Sequence, residues 1–215
     1  MRTRLVALLL AACPLAGHAQ HLPEFKPTAQ GFLFLPIALK NPVFDNLAAV
    51  LGQVDGSLSF PIFKGIGLGA GANHTWYELN ETGLAPEVTI GSVNRLLLYG
   101  KLSWGHYTGQ RTFYELNAKM GQSIWDWQCG TCADSKRQND LSWGLNAAFL
   151  LHASDNLAFG VSVGYHRDLS RFSPEVVGLD HFPGRTDMGG PYRFLNIGLG
   201  FSTGFQRSRE GEAGW

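Results

Sequence analysis

Eight polar residues of this chain are of types that do chemistry in confined spaces: Asp55, Asn73, Arg95, Lys101, Glu115, Lys119, His166 and Asp168. Two uses fit such a set. Facing one another in a dry interior, they form ion pairs and hydrogen bonds, because a buried charge without a partner is costly. Lining an open space, they make a gated pore or a catalytic pocket. His166, Asp168 and Ser170 lie close enough in sequence to raise the second use. A serine nucleophile, however, needs a histidine within hydrogen-bond reach and an acid that orients it. Spacing alone does not show that reach, and His-Arg-Asp is common on a polar rim. The structural ion-pair network is favoured, and no residue is assigned as catalytic.

Two further motifs carry weaker signals. Cys129-Gly-Thr-Cys132 is a CxxC in a polar stretch without thioredoxin-like surroundings, so a local disulfide between Cys129 and Cys132 is favoured over redox work. No second ligand pair stands at metal-binding spacing, so neither a metal nor another cofactor is expected. Trp76, Trp104, Trp125, Trp143 and Tyr165 lie near the ends of apolar segments and read as girdles at a lipid interface. Trp125 and Trp127 offer a weaker alternative as a sugar-binding platform.

The elements that position these residues are read from period-two alternation. Leu141 to Asp168 is the clearest case. Leu141, Trp143, Leu145, Ala147, Phe149 and Leu151 share one parity, with Leu150 the misfit. After the turn residues Ser154-Asp155-Asn156, the residues Leu157, Phe159, Val161, Val163 and Tyr165 alternate with Ala158, Gly160, Ser162, Gly164 and His166. The same pattern predicts strands over 31–39, 46–62, 65–77, 91–104, 111–125, 141–152, 157–168 and 192–205. Pro36 weakens the first, since it cannot donate to a ladder. On the fourth and fifth strands, Arg95, Lys101, Glu115 and Lys119 share the polar parity. A turn at 106–110 would set Lys101 opposite Glu115, with Lys119 further along one inward network and Arg95 near its outer end.

These segments match or exceed the roughly 9–11 residues that a strand needs to cross a bilayer. Connections 63–64, 106–110 and 153–156 are short, whereas 79–90, 126–140 and 169–191 are longer, as in barrels with periplasmic turns and extracellular loops. The first connection, 40–45, is short although it falls on the loop side. An apolar outside and a polar inside, with small residues crowding the interior, describe an all-β, eight-stranded antiparallel up-and-down transmembrane β-barrel. The glycine-rich strands Gly65-Ile66-Gly67-Leu68-Gly69-Ala70-Gly71 and Asn196-Ile197-Gly198-Leu199-Gly200-Phe201 resemble the small outer-membrane barrels of the OmpA/OmpX superfamily over residues 31–205. That resemblance implies the outer membrane of a Gram-negative bacterium, outer-membrane lipid as surroundings and the barrel-assembly machinery as a partner. The machinery reads a terminal aromatic residue, here Phe205 or Trp215. Barrel enzymes that act on lipid A place a His and a Ser near the rim, so the runner-up is an enzyme modifying envelope lipid with His166 as base.

The remainder of the chain is organised around that unit. Met1-Arg2-Thr3-Arg4, the apolar run Leu5–Ala12 and Gly17-His18-Ala19 read as a signal peptide over residues 1–19, although Leu10-Ala11-Ala12-Cys13 also fits a lipobox. Residues 20–30 form a periplasmic lead-in, 31–205 the barrel and 206–215 a C-terminal tail. Lys and Arg number 17 against 17 Asp and Glu, which gives no argument for nucleic acid. Charged residues are 16% of the chain and glycines 27 of 215, a balance suited to a barrel wall. The expected role is non-enzymatic: a barrel with a side-chain-filled polar lumen, acting structurally or by binding an extracellular or envelope protein through loops 79–90, 126–140 and 169–191.

Overall fold

Alternating apolar and polar residues, punctuated by Gly, Asn and Asp, build a single closed sheet. A computed structural model describes residues 25–41, 44, 48–79, 91–109, 111–129, 136–177 and 190–205. The signal-peptide and lipobox segments, loop 80–90, Cys132 and the tail from residue 206 lie outside the described residues. The strands are β1 (Thr28–Ala38), β2 (Ala48–Phe63), β3 (Ile66–Leu79), β4 (Gly91–Tyr107), β5 (Thr112–Cys129), β6 (Lys136–His152), β7 (Leu157–Asp168) and β8 (Tyr192–Gly204). Each pairs antiparallel with its sequence neighbour, and β8 returns to β1 to close an eight-stranded barrel. A short 3-10 turn, Pro174–Val177, follows β7. Among the described residues, no helix is long and apolar enough to cross a membrane.

The barrel is inverted relative to a water-soluble one. Leu33, Leu58, Leu68, Leu98, Leu116, Leu145, Val161 and Leu199 project outward and are exposed. Gln30, Asp55, Asn73, Arg95, Lys101, Glu115 and Asp168 project inward and are buried. Lipid, not water, is the solvent in which that outer face is stable. Trp76, Trp104, Trp143 and Tyr165 stand on the outer face. Trp125 does not. It is fully buried inside the barrel, because it shares the parity of Glu115, Lys119 and Ser123 rather than that of Leu116 and Ile124. Leu150, the misfit of the β6 pattern, is likewise an inward residue, packed with Phe32, Phe34, Ala148 and Ala158.

Several strands run further than their apolar cores indicate. Asp126↔Arg137 and Trp127↔Lys136 belong to the β5–β6 ladder, so that connection is 130–135 rather than 126–140. His106 and Tyr107 pair with Tyr114 and Phe113, so β4 continues through the expected turn. β1 begins at Thr28, within the lead-in. Pro36 sits in β1 at no cost on one side, because pairing with β2 stops at Phe34↔Gln53 while pairing with β8 continues to Ala38↔Phe194.

Close approach explains two glycines in particular. Tyr99 lies between Gly71 on β3 and Gly121 on β5. A Cβ at Gly71 would stand 2.5 Å from the Tyr99 hydroxyl oxygen, so the phenol can lie along the wall only because its neighbour has no side chain. At the tight turn between β2 and β3, Lys64 (φ 40°) and Gly65 (φ 86°) both adopt the left-handed geometry that two-residue hairpins demand.

The lipid-facing surface generates a direct test. Leu145→Arg or Val161→Arg places a charge mid-strand on the outer face and should cost about 2–4 kcal/mol. Urea unfolding of the protein in phospholipid vesicles measures it.

Candidate functional site

The inward polar residues fall into connected groups strung along the barrel axis. At the level of Gln30, Lys101 Nζ lies 2.6 Å from Glu115 Oε1, both side chains buried. Lys101 also donates to Gln30 Oε1 at 2.6 Å, and Gln30 Nε2 donates to Glu115 Oε2 at 2.7 Å. Asn117 Nδ2 supplies a further bond to Glu115, at 2.9 Å. Every oxygen of that carboxylate is thus engaged, which is the condition under which a buried charge is tolerable.

The middle group is centred on Asp55. Lys119 Nζ donates to both Asp55 oxygens at 2.9 Å. The Tyr99 hydroxyl donates to Oδ1 at 2.8 Å, and Asn73 Nδ2 to Oδ2 at 3.2 Å. Lys119 also stands 4.5 Å from the Tyr99 ring centroid, a cation–π arrangement.

The third group is centred on Arg95. Its Nε lies 2.9 Å from Asp168 Oδ2 and donates to Ser123 at 3.2 Å. Nη1 donates to Asn73 Oδ1 at 3.2 Å, so Asn73 links this group to the one on Asp55. Nη2 reaches Ser142 and contacts His166 Nε2. Asp168 Oδ1 accepts from Ser170 Oγ at 2.9 Å. The Arg95 guanidinium stacks over Trp125 at 5.6 Å.

All eight polar residues singled out in the sequence therefore lie inside the barrel, but not as one network around Glu115. Lys101 is opposite Lys119 in the ladder, and Glu115 is opposite Gly105, because β4 and β5 extend past residue 106 and shift the register. Lys101 reaches Glu115 diagonally. Lys119 instead crosses to Asp55 on β2, and Arg95 crosses to Asp168 on β7. Each of these three carboxylates takes one of the three cations.

The end of the barrel beyond Arg95 is closed by aromatic rings, which the sequence reading missed. Phe44 stands 5.0 Å from Tyr77, Tyr192 and Phe194 and 5.9 Å from Trp125. Trp127 packs on Phe172 at 4.9 Å, and Val176 joins the cluster. Parity was the available signal for Tyr77, Trp125, Tyr192 and Phe194; nothing in the sequence marks Phe44. The Nε1 of Trp125 and of Trp127 and the Tyr192 hydroxyl are buried there without a hydrogen-bond partner. Toward the other end, Ser59, Ser103, Gly105, Tyr107 and Glu115 border a cavity of about 70 Å³. A second, of about 10 Å³, lies among Asp55, Asn73, Arg95, Lys119 and His166.

Comparison with solved structures bears on this architecture. The chain is similar to Neisserial surface protein A, with a TM-score of 0.54 and 10% identity over 83% of this chain and 97% of that one. It is equally similar to the outer membrane protein OprG from Pseudomonas aeruginosa, with a TM-score of 0.54 and 9% identity over 86% and 98%. The fold is that of the eight-stranded outer-membrane β-barrels. No protein-family model and no curated protein matches the chain in sequence. At such identities the likeness carries the fold alone, and the interior must be read from its own geometry.

That geometry argues against a nucleophilic relay. Ser142 Oγ lies 2.9 Å from His166 Nε2, but Asp168 also approaches Nε2, at 3.8 Å, and Arg95 contacts the same atom. A relay needs the acid on the opposite ring nitrogen. Ser142, His166 and Asp168 are all buried rather than set in a cleft at the rim. Among the described residues, no group of His, Cys, Asp and Glu could hold a metal ion. Cys129 ends β5, while its side chain and Cys132 lie outside the described residues, and the disulfide with them.

The paired carboxylate at position 115 generates a sharp expectation. Glu115→Gln leaves Lys101 buried without a counter-ion and should cost on the order of 3–5 kcal/mol. Replacing Glu115 and Lys101 together with neutral residues of similar size should cost much less. A double-mutant cycle on unfolding in vesicles reads the coupling directly.

Proposed function

We propose that the chain is a non-enzymatic protein of the Gram-negative outer membrane, a sealed barrel that acts structurally and through the loops at its aromatic-capped end. The observation that carries this reading is the filled interior. Three interior ion pairs, at 2.6 to 2.9 Å, two of them crossing the barrel, occupy the axis, and Phe44 closes one end against Tyr77, Tyr192 and Phe194. An eight-stranded barrel has an interior just wide enough for side chains, and these side chains use it. Nothing among the described residues offers a substrate access to His166.

The strand ends joined by the longer connections, 80–90, 130–135 and 169–191, lie at the capped end, and those joined by the short ones, 64–65, 108–111 and 153–156, at the other. By the usual orientation of bacterial barrels, the capped end faces outward and the 70 Å³ cavity faces the periplasm. Outer-membrane lipid then surrounds the apolar wall, and an extracellular or envelope protein is the fitting partner for the loops. The barrel-assembly machinery is the fitting partner for insertion. Phe205, exposed just after β8, has its backbone N bonded to Pro27 O at 2.8 Å and is the aromatic residue best placed for that machinery. Within the outer-membrane barrels, the glycine-rich segments of β3 and β8 support a place beside the OmpA/OmpX superfamily.

Two measurements test the sealed, non-enzymatic reading. Protein reconstituted in planar bilayers should give no steady ion current, and a serine-directed fluorophosphonate should leave it unlabelled. Stable single-channel currents would replace the reading with a pore. Labelling lost in Ser142→Ala would replace it with an enzyme.

A further inference from the structure

The outer face carries a feature that the interior does not explain. Arg167 on β7 and Arg193 on β8 are direct partners in the ladder. Both have the outward parity of Val161, Val163, Ile197 and Leu199 rather than the inward parity of Asp168 and Phe194. Like charges directly opposed across two strands destabilise the pair. Among the described residues, neither arginine has an ion-pair partner, and the buried Nε of Arg167 has no hydrogen-bond partner. A third cation is close in the chain path. Leu39 donates its backbone N–H to Arg193 O at 2.9 Å, and the next residue, Lys40, is exposed with φ 48°.

The depth of this pair in the wall follows from its neighbours. Trp143 is the β6 partner of Arg167, and its ring lies 5.7 Å from that of Tyr165. Outward Trp and Tyr mark the level of lipid headgroups. Below them the face is apolar, through Leu145, Val163, Ile197 and Leu199 to Phe201. The arginines therefore stand where headgroups meet acyl chains, at the end of the barrel that bears the longer loops. Directly opposed residues have Cβ atoms about 4.5–5.5 Å apart, close enough for two guanidinium forks to grip one tetrahedral anion. Arg is suited to this by its planar, bidentate donor set.

We propose that Arg167 and Arg193, with Lys40 beside them, form a clamp for the phosphate of an anionic lipid headgroup in the outer leaflet. The site rests on the outer-membrane reading above, and it adds a specific ligand chemistry to one sector of the wall. The lipid phosphate relieves the repulsion between the two guanidiniums. The acyl chains of the same lipid then lie along the apolar face beneath.

The test uses full-length protein in phosphatidylcholine vesicles, with and without phosphorylated lipid A, and reads the urea midpoint of unfolding. Arg193→Gln removes the like-charge contact. In phosphatidylcholine alone it should raise the midpoint; with lipid A present it should lower it. Lipid A should raise the midpoint of the parent, and Arg167→Gln/Arg193→Gln should need about tenfold more lipid A for the same rise. Equal responses of parent and double variant to lipid A would overturn the clamp, as would a lower midpoint of Arg193→Gln in phosphatidylcholine alone. An equal rise from dephosphorylated lipid A or from inorganic phosphate would also overturn it, by assigning the effect to the acyl chains or to a free-anion site. Heat-modifiable migration of the parent in phosphatidylcholine reports the barrel separately, so failure of the clamp and failure of the membrane reading are distinguishable.

Discussion

Everything in this barrel depends on pairing charge in a space that has no room for bulk water. An apolar outer face obliges the polar residues to point inward, and closure with eight strands leaves an interior of side-chain width. Charges placed there must therefore find partners across the axis. Arg95 shows the extent of the demand. It stands on β4 yet touches Asn73 on β3, Ser123 on β5, Ser142 on β6 and Asp168 on β7. One guanidinium thus ties together five strands of the wall. The Asp55–Lys119 pair adds β2 to the same web, and Asn73 makes the two groups continuous.

The wall is shaped to admit this filling. Tyr99 reaches Asp55 because Gly71 leaves space for its ring. Glycine in a strand ordinarily weakens it, and here the loss is offset by a buried hydroxyl–carboxylate bond. The two ends are finished differently. Rings around Phe44 seal the loop end, whereas the turn end keeps a small cavity with polar groups on its border.

The architecture was legible because period-two alternation survives almost unbroken in every strand. Where one residue broke the pattern, as Leu150 did, it belonged to the interior cluster and was no defect. The identity of the inward polar residues was legible for the same reason. Their partners were not. Register depends on where each ladder ends, and the ladder of β4 and β5 continues through His106 and Tyr107, residues whose polarity reads as turn. An error of a few positions there moves Lys101 from Glu115 to Lys119, and only the length of a lysine side chain restores the ion pair. Trp125 was misplaced by a different route: aromatic residues near strand ends suit both a lipid girdle and a mouth plug, and parity, not residue type, separates them. Phe44 lies in a connection, where no periodicity exists to announce it.

The ladder on either side of β1 has a consequence for how this chain comes together. β1 is bonded to β8 along its whole length, but to β2 only as far as Phe34. The outer part of the first strand is therefore held by the last. Contacts between the two ends of a chain are the slowest to form, since the largest loop must close before they give any return. Until β8 is in place, β1 and β7 both present open edges, the condition in which strands pair with the wrong neighbour. The outer end of β1, residues 35–38, thus finds its ladder partner only when β8 closes the barrel, whereas residues 28–34 can pair with β2 beforehand.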